Sequence, residues 1–205
     1  MTPPAFDRSA KAALRAQILS RRDQLSEGFR GRAQLAIHDR AAEALDGLAG
    51  LAGLAGLAAA DVVALYSAKG SEVDVGALEA HARRLGFRVA YPRVVRGQRW
   101  LAFHLVDGAA LRPGRFGLRE PAPSEPAAEP GAIAAFLVPG IAFDEEGGRL
   151  GWGRGYYDST FARAPQARRL GVAFECQVAA RVPQTEHDIS LHALFTEARV
   201  RRFGS

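Results

Sequence analysis

From residue 61 onward, short apolar runs alternate with stretches whose apolar residues recur at helical spacing. Residues 61–66 form a nearly continuous apolar run, which is typical of a strand buried on both faces of a sheet. A helix is predicted at residues 74–85, with Asp74 as its cap and Gly86 as its stop. Further strands are predicted at residues 88–91, 100–106, 136–139, 169–174 and 198–200. This alternation predicts an α/β fold, a three-layer α/β/α domain whose mostly parallel or mixed sheet has helices on both faces.

An N-terminal helical pair precedes this alternation. Residues 9–22 and 27–45 have apolar residues at near-helical spacing, and Ser9 is a suitable cap for the first helix. Residues 47–58 then repeat a Gly-Leu-Ala unit, and a period of three fits neither a helix nor a strand. We therefore expect residues 47–58 to be a low-complexity spacer without chemistry, within one domain that spans residues 1–205.

The segment 148–158 reads Gly-Arg-Leu-Gly-Trp-Gly-Arg-Gly-Tyr-Tyr-Asp and follows the predicted strand at 136–139. In open α/β sheets ligands bind at the carboxyl ends of the strands, so this segment lies where a site is expected. Its alternating glycines expose backbone N–H groups, which together with Arg149 and Arg154 can bind phosphate. The spacing matches neither a P-loop nor a dinucleotide fingerprint. On spacing alone, a glycine-rich surface turn is an equal alternative.

The charge balance narrows the class of partner. The formal net charge is +5, which suits phosphate-bearing ligands, but only Lys11 and Lys69 among the 27 basic residues are lysine. We expect no nucleic-acid partner, because there is no lysine-rich tail and no ladder of aromatic and basic residues. No apolar run reaches the roughly 20 residues of a membrane span. Cys176 is the only cysteine, and the N-terminus lacks the order of a secretory signal. We therefore expect a cytoplasmic protein with no membrane contact. We also expect a monomer.

Residues 139–158 resemble, without a gap, the motif P-G-x-x-F-D-x-x-G-x-R-L-G-x-G-x-G-Y-Y-D of the 5-formyltetrahydrofolate cyclo-ligase family. Other pieces similar to that family stand in the expected order at residues 11–15, 66–67, 71–74, 91–93, 117–121 and 186–191. Two departures are visible. The Gly-Leu-Ala repeat is longer than expected, and Trp152 stands where a tyrosine or a basic residue is usual.

The resemblance implies an ATP-dependent ligase of one-carbon metabolism with Mg²⁺ as cofactor. Its substrates would be ATP and 5-formyltetrahydrofolate, in some cases polyglutamylated. ATP would phosphorylate the formyl oxygen, and the neighbouring nitrogen would then displace phosphate to give 5,10-methenyltetrahydrofolate. Because an amide oxygen is a poor leaving group, such an enzyme must position two ligands and neutralise the charge of the transferred phosphoryl group.

The resemblance also implies which residues serve each ligand. Those implied to be catalytic are Lys11, Arg149 and Asp158. Those implied to bind ATP are Lys11, Arg15, Arg149, Gly151, Gly153, Arg154, Gly155, Tyr156 and Tyr157. Those implied to bind the folate are Arg15, Ser67, Glu72, Trp152 and Tyr156. The implied magnesium ligands are Asp158 and Asp188.

Most of these residues also have a structural interpretation. Lys11 and Arg15, four residues apart on a helix, would equally form a solvated basic face by spacing alone. Glu72 would serve as an acid flanking a helix N-terminus, and Asp188 as a turn residue. The five histidines show no metal-ligand spacing and are interpreted as structural or surface residues.

Two alternative functions stay open at this point. A folate-binding or regulatory protein could keep the pocket without turnover, although it would have no need of a metal ligand. A paralogue could use the same ATP chemistry on another formylated amine, and Trp152 is the one residue that favours this alternative.

Overall fold

The computed structural model describes residues 5–55 and 61–204. Its helices are α1 (Ala5–Asp23), α2 (Glu27–Ala55), α3 (Gly76–Arg84) and α4 (Tyr156–Phe161). Its strands are β1 (Val62–Ala64), β2 (Arg88–Val94), β3 (Leu101–Leu105), β4 (Arg112–Pro113), β5 (Arg119–Glu120), β6 (Ile133–Val138), β7 (Ala142–Phe143), β8 (Arg149–Leu150), β9 (Arg168–Val172), β10 (Ala193–Phe195) and β11 (Val200–Arg202). No helix within these residues is both long enough and apolar enough to cross a bilayer.

A mixed seven-stranded sheet organises the chain, in the order β11-β10-β9-β6-β1-β2-β3. Its five inner strands are mutually parallel, and the edge strands β3 and β11 pair antiparallel to their neighbours. Parallel strands carry their carboxyl ends to one edge, so the loops after β1, β2 and β6 meet there. Two short hairpins, β4-β5 and β7-β8, lie outside this sheet.

Apolar side chains bury both faces of the sheet. On one face, Ile37 and Leu45 of α2 and Leu78 of α3 pack in the same cluster as Val63 and Leu137 of the strands. Because all five are at most 1% exposed, each contributes about 1.5–3 kcal/mol of transfer free energy.

On the other face of the sheet, Phe136 is the centre of an aromatic group. Its ring meets those of Phe103 and Phe161 edge to face, each at 5.4 Å between centroids. Phe161 belongs to α4, so this contact fixes α4 against the sheet. The predicted layered α/β fold with an N-terminal helical pair is confirmed.

A third apolar cluster attaches α1 to the β7-β8 hairpin. Ile18 of α1, 1% exposed, packs with Ile141, Leu150 and Val182. This contact determines where the polar face of α1 lies, because Lys11 and Arg15 are on the same helix.

The helix boundaries differ from those predicted. The first helix begins at Ala5 rather than at Ser9, which therefore lies inside the helix and not at its cap. The second helix continues to Ala55, so residues 47–55 are helical although a period of three predicts neither a helix nor a strand, and residues 56–58 lie outside the described part of the chain. The physical reason is packing, since Leu48 and Ala49 extend the apolar contact with the core.

Two strand predictions also need correction. Strand β2 runs through Pro92, where an end was predicted. This is possible because β1 pairs with β2 only as far as Ala90, so β1 needs no N–H from Pro92. The last predicted strand at 198–200 is observed at Val200–Arg202, and its partner β10 was not predicted because a run of three residues is too short to show a period.

Candidate functional site

A cavity of about 890 Å³ opens at the carboxyl ends of β1, β2 and β6. Every residue for which the resemblance implied a role lines this cavity. These residues are Lys11, Arg15, Ser67, Glu72, Arg149, Gly151, Trp152, Gly153, Arg154, Gly155, Tyr156, Tyr157, Asp158 and Asp188. They come from α1, from the loop after β1, from the segment following β7 and from the loop before β10. The structure therefore brings the predicted residues together, while the ligand that each contacts stays a prediction.

Helix α1 reaches the cavity with two basic side chains on one face. The ammonium Nζ of Lys11 lies 3.1 Å from Oδ2 of Asp188, and Nε of Arg15 donates to the Gly151 carbonyl at 2.8 Å. These contacts show that the spacing of four residues does not produce a solvated face here. Instead, α1 is joined to two separate loops of the cavity wall.

The glycine-rich loop needs glycine at two positions for its backbone conformation. Gly153 has φ +83° and Gly155 has φ +66°, in the left-handed region that disfavours side chains. A Cβ atom on Gly153 would also lie only 2.9 Å from Nη2 of Arg15. Glycine at 153 therefore allows α1 and the loop to approach each other, and Gly155 directs the chain into α4.

Arg149 and Asp158 form an ion pair in the cavity wall. Nη2 of Arg149 donates to both Asp158 oxygens, at 3.3 and 3.4 Å, and the Ile189 backbone N–H also donates to Oδ1 at 3.3 Å. The Arg149 side chain is only 6% exposed, and its guanidinium carbon lies 5.2 Å from the centre of the Tyr157 ring. Its Nε atom has no hydrogen-bond partner among the described residues. This guanidinium is thus mostly removed from water and has unused donor capacity.

Glu72 provides a partly buried carboxylate on the loop after β1. Burial raises the pKa of Glu72 above its usual range, and the Lys69 backbone N–H, the charge of Arg22 and a hydrogen bond from Trp152 oppose that shift. The Lys69 N–H donates to Oε2 of Glu72 at 2.9 Å. Trp152 is 58% exposed and lines the cavity. A partly buried acceptor of this kind suits a ligand with N–H donors.

Several residues that line the cavity had no predicted role, among them Lys69, Phe116 and Arg119. The sequence held one signal for Lys69, because lysine is rare in this arginine-rich chain. The other lysine, Lys11, had a predicted role, and both line the same cavity. Phe116 carried no such indication, since its position depends on a 3-10 turn in which it adopts φ +58°. There its ring lies 4.2 Å from the Arg154 guanidinium and its carbonyl accepts from Nζ of Lys69.

The carboxylates of Asp158 and Asp188 are the candidates to hold a metal ion. The hydrogen bonds to Asp188 within the described residues, from Lys11 and Thr185, all reach Oδ2, which leaves Oδ1 available. No three His, Cys, Asp or Glu side chains in the described residues are grouped so that they could hold one metal. Magnesium usually takes one or two protein carboxylates and completes its shell with substrate phosphates and water. The donor set therefore fits a magnesium ion that arrives with a nucleotide.

The fold and the cavity define an α/β enzyme with its site at the carboxyl ends of parallel strands. The model of the 5-formyltetrahydrofolate cyclo-ligase family matches residues 7–197. A 5-formyltetrahydrofolate cyclo-ligase of Mycolicibacterium smegmatis is 32% identical over 197 residues, covering 93% of this chain and 95% of the relative. The chain therefore belongs to the 5-formyltetrahydrofolate cyclo-ligase family, and its predicted class of enzyme, a cyclo-ligase, is confirmed.

Solved structures agree with this assignment. The NMR structure of Aquifex aeolicus 5,10-methenyltetrahydrofolate synthetase superposes with a TM-score of 0.72 at 32% identity, over 95% of this chain and 93% of that one. A 5,10-methenyltetrahydrofolate synthetase from Mycoplasma pneumoniae gives a TM-score of 0.68 at 24% identity, over 91% of this chain and 98% of that one. The second likeness supports the fold alone.

Proposed function

We propose that this chain converts 5-formyltetrahydrofolate to 5,10-methenyltetrahydrofolate, using ATP and Mg²⁺ and releasing ADP and phosphate. The observation that carries the proposal is the composition of the cavity at the carboxyl ends of β1, β2 and β6. Seven cationic side chains line it together with the partly buried carboxylate of Glu72, and those with a predicted role toward phosphate are Lys11, Arg15, Arg149 and Arg154. A polyphosphate and a ligand rich in N–H donors can bind side by side in such a space.

The cationic side chains would act on the phosphoryl group. In the first step the formyl oxygen bonds to the γ-phosphorus of ATP while the bond to the bridging oxygen breaks, which releases ADP. Negative charge spreads over the transferred group, and preorganised cations in a site shielded from water stabilise that charge. Arg149 suits this role, because its guanidinium lines the cavity, is nearly buried and is held in place by Asp158.

The second step closes the ring. The neighbouring nitrogen of the folate attacks the formyl carbon, loses its proton, and the carbon–oxygen bond breaks to release phosphate. The protein's part is to hold the pterin so that the nitrogen and the carbon lie within reach. Glu72 would accept N–H bonds from the ligand, Tyr156 and Trp152 offer ring faces, and Arg15 of α1 holds the glycine-rich loop through the Gly151 carbonyl.

Asp158 and Asp188 would hold the magnesium ion together with phosphate oxygens of ATP. When bound, Mg²⁺ neutralises phosphate charge and orients the phosphate chain. Both carboxylates now face cations of the protein, Arg149 and Lys11, at 3.3 and 3.1 Å. Binding of a metal–nucleotide complex would give those cations phosphate oxygens as alternative partners.

Incubation of the purified chain with ATP, Mg²⁺ and 5-formyltetrahydrofolate tests the proposal. ADP and methenyl product should form in equal amounts, and oxygen-18 placed in the formyl group should appear in the released phosphate. Folate binding without ADP would instead indicate a binding protein. ADP formation that requires a different formylated amine would indicate a paralogue. Unlabelled phosphate would exclude the phosphorylated formyl intermediate.

A further inference from the structure

Arg22, near the end of α1, is a buried arginine outside the cavity. Arg22 is 4% exposed. Its Nε donates to Oγ of Ser71 at 2.9 Å, and its Nη1 has no hydrogen-bond partner among the described residues. Asp23 accepts from the same Ser71 hydroxyl. The last turn of α1 is thus joined to the residue that directly precedes Glu72.

An arginine buried with an unused donor costs stability, so its presence needs a reason beyond packing. An apolar side chain of similar volume is often as stable or more so at such a position. The charge of Arg22 acts on the Glu72 carboxyl. Burial raises the pKa of this carboxyl, and Lys69, Arg22 and Trp152 oppose that shift. Arg22 therefore acts on Glu72 in two ways, through Ser71 and through its field.

We propose that Arg22 is a positioning residue for the folate subsite: it fixes the Ser71–Glu72 backbone and keeps Glu72 an ionised acceptor facing the cavity. This inference rests on the proposed function at one point, which is that Glu72 contacts the folate. It predicts that Arg22 sets the affinity for the folate and leaves the affinity for ATP unchanged, although Lys11 and Arg15 lie on the same helix.

A double-mutant cycle with Arg22→Met and Glu72→Gln tests this inference by equilibrium binding of 5-formyltetrahydrofolate. Arg22→Met should weaken folate binding about tenfold, which lies within the range of coupling found for residues that share a partner or a hydrogen-bond network. In the Glu72→Gln background the same change should have an effect below about twofold, since the carboxylate it serves is gone. Arg22→Lys should restore most of the affinity, and the exposed neighbour Arg21→Met is the matched control.

The outcomes separate the inference from the proposed function. Equal losses in both Glu72 backgrounds, or a parallel loss of ATP affinity and of the melting temperature, would show that Arg22 is only structural. A wild-type chain that binds no 5-formyltetrahydrofolate and makes no methenyl product would overturn the proposed function, and this inference with it. Wild-type turnover with no effect of Arg22→Met on folate binding would overturn the inference alone.

Discussion

Asp158→Asn is the substitution that best separates a structural from a catalytic role in the cavity. The change keeps the shape of the side chain and removes its charge. It replaces Oδ2, which accepts from Arg149 at 3.4 Å, with an NH2 donor, while the amide oxygen at the Oδ1 position can still accept from Arg149 and from the Ile189 N–H, each at 3.3 Å. The loss therefore falls on the ion pair.

The stability cost follows from the burial of that pair. The side chains of Arg149 and Asp158 are 6% and 20% exposed, so the guanidinium loses a partner that water replaces only in part. Leaving a buried polar group unsatisfied costs about 1–3 kcal/mol. For a domain of this size that is roughly 2–12 °C in melting temperature. A change of that size leaves the protein folded at assay temperature.

The catalytic cost should be far larger if Asp158 holds the metal–nucleotide complex. Removing one group that stabilises transition-state charge lowers turnover by about 100-fold or more. Excess Mg²⁺ should recover part of that loss, because the ion still binds ATP in solution. The assay is kcat across a magnesium titration, read together with the melting temperature.

Glu175→Gln supplies the matched control. Glu175 pairs with Arg201, which is 5% exposed, at 2.6 Å, and it does not line the cavity. The Glu175→Gln substitution should lower the melting temperature without changing kcat or the dependence of kcat on magnesium concentration. If Asp158→Asn behaves like this control, with normal kcat and an unchanged magnesium profile, Asp158 only holds Arg149 in place and is removed from the metal site.

Three further predictions use the same assays. Lys11→Ala should raise the KM for ATP about tenfold or more, since it removes a charged donor. It should lower the melting temperature by no more than about 4 °C, because Asp188 keeps its bonds to Thr185; a change confined to the folate KM would contradict this. Gly153→Ala should cost about 1–2 kcal/mol and raise the KM for ATP, because φ is +83° and the new methyl group meets Arg15; an unaltered melting temperature and KM would refute it. Because burial raises the pKa of Glu72, its charge is lost as the pH falls through that raised value. As the pH is lowered, the KM for the folate should therefore begin to rise before the pH reaches the usual glutamate pKa of about 4.3. Glu72→Gln should remove this dependence of KM on pH.

The alternation of apolar runs was enough to predict the class of the fold, but not the boundaries of its elements. Strands buried on both faces have long apolar runs, as residues 61–66 do, and these are visible in sequence. Helix α2 was predicted too short because its continuation is stabilised by contact of Leu48 with the core. Tertiary contacts of this kind leave no period in the sequence.

The residues for which a role was predicted all line one cavity, because most of them stand in motifs that the fold brings to the carboxyl ends of the strands, and the role of each stays a prediction. What sequence could not provide was the pairing of those residues. The link from Lys11 to Asp188 joins residues 177 positions apart, and the link from Arg15 to Gly151 joins residues 136 apart. Neither contact follows from local spacing, since each depends on how α1 docks against the β7-β8 hairpin.

Because of that docking, both the proposed nucleotide subsite and the proposed folate subsite, the two halves of the cavity, depend on the position of α1. Lys11 and Arg15 bond to the loops proposed to bind the nucleotide, and Arg22 bonds to the loop that carries Glu72. The helix is held by Ile18, 1% exposed, in an apolar cluster separate from the two faces of the sheet. Because one helix touches both halves, a shift of α1 would change the nucleotide and folate subsites together. A substitution that weakens only the Ile18 contact should therefore raise both KM values, whereas Lys11→Ala and Arg22→Met should each raise one.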